Sequence, residues 1–200
     1  MNYEPESQFL IEYGLGSTPK TEMGVYVDLG CAHPVNKSLT PFCRVLGWPG
    51  LAIDANLDYA NEWAAAGFGK HFVCAVLSDQ PSARFVTHEN SFTSRISDSP
   101  ETDHPEKWGI KSIEERSTVP LNHLLEVHDI GRIDLLTVDL EGRELAVLKT
   151  LDWDRHSPAY VVAEFNTAGL GVDAEVGNFL ISKGYNLIHM TESNLIFRRQ

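Results

Sequence analysis

Residues 25–30 read Val-Tyr-Val-Asp-Leu-Gly, a short apolar run that ends in an acid and a glycine. This pattern is typical of a buried strand that leads into a tight turn. It recurs along the chain, and we predict four further strands, over residues 50–56, 71–78, 133–139 and 160–165. Apolar runs of this kind, separated by stretches with helical spacing, indicate an α/β fold with a mostly parallel sheet.

The stretches between the predicted strands carry helix signals. A capping side chain such as Ser38 opens a stretch, apolar residues follow three or four positions apart, and a glycine such as Gly184 ends it. We predict four such helices, over residues 38–46, 56–67, 144–151 and 176–184. Residues 185–191 and 195–199 then predict a closing antiparallel hairpin.

Residues 79–131 interrupt this alternation. They contain one predicted strand, Ala83 to His88, a polar stretch over 89–118, and a short helix that begins at Pro120. An insertion of this length in a compact domain is typical of a lid, a binding loop or disorder. Because no linker rich in glycine or serine marks a second domain, we predict one domain over residues 1–200 with a substrate lid at about 79–131.

The charge balance narrows the function classes. The chain has 16 Lys and Arg against 28 Asp and Glu, a formal net charge of −12, which disfavours a nucleic-acid partner. No apolar run approaches the ~18–20 residues of a membrane-spanning helix, and the first residues do not resemble a signal peptide, so we expect a cytoplasmic protein. The three cysteines fit small buried apolar residues rather than a disulfide framework or a metal site: Cys31, Cys43 and Cys74. The sequence carries no signal for an oligomeric state.

Acidic residues follow the predicted strands at their carboxyl ends, where ligands of parallel α/β sheets bind. Asp54 lies 24 residues after Gly30, close to the ~20 expected of an acid that holds a ribose. The turn after the first strand has one glycine instead of the three of a dinucleotide fingerprint, and Asp28 would repel a diphosphate. The same charge favours a ligand with an ammonium and a sulfonium group, which points to S-adenosylmethionine.

Several blocks together resemble one known family: VYVDLGCAHP, SLT, GWPGLAIDAN, AVLS, IDLLTVDLEGREL and VVAEF. They resemble the FkbM family of S-adenosylmethionine-dependent methyltransferases, with Rossmann-like class I folds, from about Ser7 to Phe197. The resemblance implies cofactor contacts at the strand ends: Asp28 and Gly30 at the methionine part, Asp54 on the ribose hydroxyls, Asn56 beside the ribose and adenine, and Ser78 beside the adenine. The alternative for these acids and amides is that they cap the following helices. The resemblance also implies an acceptor hydroxyl on a sugar or secondary metabolite.

Methyl transfer to a hydroxyl needs positioning and a base. Asp139 and Glu141 are candidates, since positions i and i+2 project to the same side if the strand geometry persists; the alternative is that Glu141 caps the next helix. His33 is a further candidate base, or a hydrogen-bonding scaffold residue. Asp139, Glu164 and Asn166 carry the oxygen ligands that Mg²⁺ prefers, although Glu164 could equally bond backbone amides or a sugar hydroxyl.

Three other functions stay open at this stage. Within the same enzyme class, the acceptor of the methyl group could be a nitrogen. A nucleotide-dependent oxidoreductase is a different class, and the missing glycines argue against it. A non-catalytic domain that keeps the cofactor site as a scaffold for a partner is the third, and the Asp139 and Glu141 pair favours an enzyme acting on a small molecule over it.

Overall fold

The computed structural model describes residues 4–15, 23–36, 38–103, 105–164 and 172–200. Its strands are β1 (Tyr26–Leu29), β2 (Gly50–Asp54), β3 (Phe72–Cys74), β4 (Val76–Leu77), β5 (Ser82–His88), β6 (Arg95–Ile96), β7 (Ile110–Val119), β8 (Leu135–Val138), β9 (Tyr160–Glu164), β10 (Tyr185–Met190) and β11 (Asn194–Arg199). Its α-helices are α1 (Pro5–Leu10), α2 (Pro41–Val45), α3 (Tyr59–Ala65), α4 (Pro105–Trp108), α5 (Leu121–Val127), α6 (Glu144–Thr150), α7 (Trp153–His156) and α8 (Val172–Ser182).

Seven strands form the main sheet, in the order β10-β11-β9-β8-β1-β2-β3. The five strands from β9 to β3 are parallel to one another, whereas β11 pairs antiparallel with both β9 and β10. The predicted fold class, a mostly parallel α/β sheet closed by a C-terminal antiparallel hairpin, is confirmed. Since β8 and β2 flank β1, the chain segments that follow these three strands leave the sheet side by side.

Helices cover the main sheet on both faces, which explains why the central strands β1 and β8 are buried along their whole length and mostly apolar. Leu125 of α5, Leu148 of α6 and Leu180 of α8 are fully buried in one core cluster on one face. Leu10 of α1 and Phe42 of α2 belong to the cluster on the other face. The free cysteines Cys31 and Cys43 are buried, and Cys74 is half-buried.

The predicted strand over residues 71–78 is wrong as a single element. The Ala75 N–H donates to the Asp54 carbonyl at 2.9 Å, and the chain then leaves the main sheet. Residues after Ala75 form β4, which pairs with β7 of a second sheet. The apolar run thus contains two strands of different sheets, β3 and β4. The spacing of apolar residues does not show where one strand ends and the other begins.

The interval 79–131 contains most of the second sheet, whose order is β4-β7-β5-β6. The strand predicted from Ala83 to His88 is present as part of β5, and the helix after Pro120 is α5. The polar stretch expected over 89–118 instead contains β6 and the ten-residue β7. β7 is rich in charged residues, and its order comes from pairing with β5 along nearly its whole length. Among the described helices, none is long and apolar enough to cross a membrane.

Candidate active site

The carboxyl ends of the central strands open into a cavity of about 760 Å³. Residues from several parts of the chain line it, including the strand ends of the main sheet, residues 4–6 near the N-terminus, residues 91–92 and 94–96 of the insertion, and residues 191–194 of the C-terminal hairpin. Of the residues predicted to form the site, five line this cavity: Gly30, Asp54, Asp139, Glu141 and Glu164. The structure therefore brings together the acids that follow β2, β8 and β9.

Gly30 makes the closest backbone approach in the site. Its φ is +78°, and a Cβ at this position would lie 1.7 Å from the Asp139 carbonyl oxygen. Its N–H donates to the Ile53 carbonyl at 2.9 Å. Only glycine fits both the left-handed backbone and this contact, so it fixes the turn after β1 between the ends of β2 and β8.

Asp54 stands at the end of β2 and organises two turns. Its Oδ2 accepts the Ala32 N–H at 2.9 Å, and its Oδ1 accepts the Asn56 N–H at 2.8 Å. Burial raises the pKa of this carboxyl to about 6. A carboxylate has about four acceptor positions, so two remain for hydroxyl groups that enter the cavity.

Two predicted cofactor residues lie elsewhere. The Asn56 side chain accepts the Asp58 N–H at 3.0 Å and so holds the turn before α3, which has no side-chain cap. Ser78 accepts the Gln80 N–H at 3.1 Å and lines a second cavity of about 430 Å³. The structure does not bring either side chain to the main cavity, because the chain turns away after Ala55 and after Leu77.

Asp28 is in β1, just before the turn that carries Gly30, and is only 4% exposed. The hydroxyls of Thr40 and Thr137 donate to its carboxylate, both at 2.6 Å. Burial raises the pKa of this carboxyl above its usual range. Arg44, which donates to the Thr40 hydroxyl at 2.9 Å, extends the network. These contacts indicate that Asp28 fixes β1 against its neighbours, and it is not among the residues that line the cavity.

His33 also lies off the main cavity. Its Nδ1 accepts the N–H groups of Val35 and Asn36, each at 3.0 Å, and its Nε2 lies 3.4 Å from the Glu62 carboxylate. Both ring nitrogens therefore have partners within the turn and on α3, as expected of a scaffold residue. Asn166, predicted as a metal ligand, lies outside the described residues.

Asp139, Glu141 and Glu164 form a cluster at one end of the cavity, with one carboxylate oxygen from each lying within 4.8 Å of the others. Asp139 and Glu164 share a hydrogen bond. Burial, followed by the neighbouring acids, raises the pKa of Asp139 to about 7 and that of Glu164 to about 10. Burial also raises the pKa of Glu141. The cluster thus retains protons near neutral pH and favours any cation that replaces them.

The turn that carries Glu141 is held by Glu144, an acid outside the cluster. One oxygen of Glu144 accepts the N–H groups of Leu140 at 2.8 Å and Gly142 at 3.1 Å. Glu141 itself has a φ of +54° and lines the cavity. It is therefore Glu144 that satisfies N–H groups of the turn before α6, and neither Glu141 nor Glu144 caps that helix.

Comparison with known proteins identifies the family. A family model described as the methyltransferase FkbM domain matches residues 22–187. The chain belongs to this family. No curated protein matches the sequence.

One solved structure shares the fold of this chain, and a second is more distantly similar. The crystal structure of methyltransferase FkbM from Methylobacillus flagellatus KT is 16% identical, with a TM-score of 0.56 over 98% of this chain and 48% of that chain. The chain thus spans about half the length of that protein. The N-terminal domain of human METTL16, solved in complex with SAH, is 13% identical, with a TM-score of 0.49 over 98% of this chain and 70% of that chain. The bacterial structure confirms the Rossmann-like methyltransferase sheet.

Four further residues that line the main cavity of this FkbM-family chain were not predicted from the sequence. Phe92 and Arg95 come from the insertion, where the guanidinium of Arg95 lies 4.6 Å from the centre of the Trp108 ring. Asn194 and Glu6 come from opposite ends of the chain and are joined by a 3.0 Å hydrogen bond. Asn194 lies in a predicted turn and Glu6 in a terminal segment, and nothing in the sequence but their polarity marks them. The contact that places them joins distant parts of the chain.

Proposed function

We propose that this FkbM-family chain binds S-adenosylmethionine in the main cavity and transfers its methyl group to a hydroxyl of a small molecule, a sugar or a secondary metabolite. Family membership supports a methyltransferase. The observation that carries the proposal is the convergence of Gly30, Asp54 and the Asp139 cluster in one cavity at the carboxyl ends of parallel strands. This is where ligands of open α/β sheets bind.

The residues present fit the methyl donor in shape and charge. Gly30 lets the turn after β1 pack directly against the end of β8, and it lines the cavity there. Asp54 has acceptor positions left for the two hydroxyls of a ribose. The acids of the cluster favour the positive charge of the donor. When bound, S-adenosylmethionine supplies a methyl group on a positively charged sulfur.

The chain's own contribution to the reaction is to position the acceptor and to take its proton. Asp139 and Glu141 lie in the cavity wall and accept hydrogen bonds when ionised, so either can hold an acceptor hydroxyl and remove its proton during transfer. Glu164, through its hydrogen bond to Asp139, orients that carboxyl. The insertion residues 91–92 and 94–96 and the hairpin residues 191–194 complete the walls.

A nitrogen acceptor is the second candidate, and the acidic lining of the cavity is the observation that favours it. Glu6, Glu192 and the three-acid cluster all line the same space, which would attract a protonated amine. The same lining disfavours polyanionic partners such as nucleic acids. Family membership favours methyl transfer over hydride transfer, and the position of Asp139 and Glu141 in the cavity favours an enzyme over a scaffold.

Calorimetric titration with S-adenosylhomocysteine, the demethylated product, tests the donor site. We expect saturable binding by the native chain, weakened at least tenfold in Asp54→Asn, because a charged hydrogen bond contributes ~1.5–3 kcal/mol. Asp58→Asn is the matched control, since Asp58 is exposed and lies outside the cavity lining. Equal affinity in the two variants would remove Asp54 from the site. Absence of binding to the native chain would overturn the proposed function.

A panel of acceptors tests the chemistry. We expect turnover of S-adenosylmethionine with hydroxylated small molecules such as glycosides, measured as S-adenosylhomocysteine released. Turnover confined to amines would replace the hydroxyl acceptor by a nitrogen. Donor binding without turnover on any acceptor would favour the scaffold.

A further inference from the structure

The three-acid cluster has a further polar neighbour, Asn194, on the strand beside the one that carries Glu164. Asn194 opens β11 directly opposite Glu164 in the antiparallel pairing of β11 with β9. Side chains opposite each other in such a pair lie on the same face of the sheet, with Cβ atoms about 4.5–5.5 Å apart. Both residues line the main cavity. The Asn194 side chain thus lies next to the cluster.

The Asn194 side chain is buried, and only one of its two polar atoms has a hydrogen-bond partner. The residue is 8% exposed, and its Nδ2 donates to Glu6 Oε1 at 3.0 Å. This hydrogen bond fixes which end of the amide is the oxygen. Within the part of the chain that the structure describes, Oδ1 accepts no hydrogen bond. A buried carbonyl oxygen without a partner is rare in native proteins, and here it points to a ligand that the cavity is built to receive.

The available atoms at this end of the cavity share one chemistry. The carboxylates of Asp139, Glu141 and Glu164 and the Asn194 amide oxygen are all hard oxygen acceptors. The carboxylate oxygens lie within 4.8 Å of one another. Oxygens on opposite sides of one Mg²⁺ or Ca²⁺ ion are roughly 4–5 Å apart, so a single ion can contact all three.

We propose that Asp139, Glu141, Glu164 and Asn194 form a site for a divalent cation of the Mg²⁺, Mn²⁺ or Ca²⁺ type. It shares Asp139 and Glu164 with the set that the sequence suggested, whose third member, Asn166, lies outside the described residues. Hard cations of this kind take carboxylate and amide oxygens, often with water in the remaining positions. The only described cations that line the same cavity are Arg95 and Arg143, and Arg143 is paired with Asp98.

Such a cation would give the proposed methyl transfer a second means of activating its acceptor. An oxygen bound to a divalent cation loses its proton more readily than a free hydroxyl. The site deepens the proposed function and rests on it for this role. Its existence is a separate matter, since cation binding can be measured on the chain without any methyl donor.

The test is titration of the chelator-treated full chain with MnCl₂, MgCl₂ or CaCl₂, followed by calorimetry, and for Mn²⁺ by loss of the free-ion electron paramagnetic resonance signal. We expect one saturable site per chain, with a dissociation constant below about 1 mM for at least one of the three ions. The absence of saturable binding up to about ten times that concentration would overturn the proposal.

Variants then locate the ion. We expect Glu164→Gln and Asn194→Leu each to weaken binding by roughly tenfold or more, whereas the control Asp58→Asn, an exposed acid outside the cavity lining, leaves it unchanged. Should the Glu164→Gln variant fail to fold by circular dichroism, Glu141→Gln, in the turn after β8, takes its place. Equal weakening by Asp58→Asn would mean diffuse attraction by surface charge and would refute the site. Failure of S-adenosylhomocysteine binding with intact cation binding would refute only the proposed function.

Discussion

Replacement of Gly30 by alanine tests whether the turn after β1 is built around a close backbone contact. Gly30 and Gly67 have nearly the same left-handed backbone, with φ values of +78° and +82°. An added Cβ would lie 1.7 Å from the Asp139 carbonyl oxygen at Gly30, whereas it would meet nothing within 4 Å at Gly67. Alanine at either site pays a left-handed backbone cost of roughly 1–2 kcal/mol. The difference between the two variants therefore isolates the contact with Asp139.

The size of that difference follows from the distances. Contacts of a real Cβ essentially never fall below 3.0 Å, so the turn after β1 and the end of β8 must separate by more than 1 Å in Gly30→Ala. Overpacking of this kind adds about 1–3 kcal/mol. We expect urea denaturation to show Gly30→Ala less stable than Gly67→Ala by that amount.

Binding gives the second measurement on the same pair. The shift at Gly30 moves both the cofactor turn and Asp139, so we expect at least a tenfold loss of S-adenosylhomocysteine affinity in Gly30→Ala by calorimetry, because a displacement of about 1 Å is enough to disrupt a preorganised site. Gly67→Ala should bind like the native chain. A Gly30→Ala variant that binds normally would refute the view that this turn cradles the ligand.

Three further predictions follow from the site and its supports. Glu141→Gln should lower kcat by about 10²–10⁴ with unchanged S-adenosylhomocysteine affinity, while Asp58→Asn, outside the cavity, keeps full activity; equal turnover in both variants would exclude Glu141 as the base. Asp28→Asn should lower the free energy of unfolding by about 1–3 kcal/mol, because the amide nitrogen can no longer accept one of the two threonine hydroxyls; S-adenosylhomocysteine affinity should stay unchanged, and a selective loss of affinity would return Asp28 to the cofactor site. The hydrogen bonds from Arg84 hold the pKa of Asp103 at about 2, below its ordinary 3.8, so its stabilisation is complete above about pH 4 and is lost as the pH falls towards 2. Denaturation at several pH values should show a shallower acid slope in Asp103→Asn, and an unchanged slope would contradict this.

Much of the main sheet could be predicted because its strands are continuous apolar runs. Burial on both faces leaves this signal in the sequence itself, and it located β1, β2, β8 and β9 without any long-range information. β7 could not be found in this way. Its residues are mostly polar, and the strand exists because β5 lies beside it. A strand ordered by its partner has no periodicity of its own to read.

The predicted site divides along a similar line. Gly30 and Asp54 were found because their backbone positions restrict the residue type or the spacing. Asp28, His33 and Asn56 follow the same sequence logic, yet their side chains are occupied by nearby groups of the protein. A polar residue at a strand end is as useful for holding a turn as for holding a ligand, and the sequence shows only that the residue is there.

The acids after β8 show how two residues that line the same cavity can be predicted for an incomplete reason. Asp139 and Glu141 were expected to share a side because alternate residues of a strand do, but β8 ends at Val138 and Glu141 is left-handed. What brings the two carboxylates together is Glu144, whose bonds to the Leu140 and Gly142 N–H groups close the turn and leave Glu141 pointing into the cavity. Glu144, the last acid of residues 139–144, therefore acts through its hydrogen bonds to the backbone. It follows that Glu144→Gln should disturb the site less than Glu144→Ala, because an amide oxygen can still accept both N–H groups.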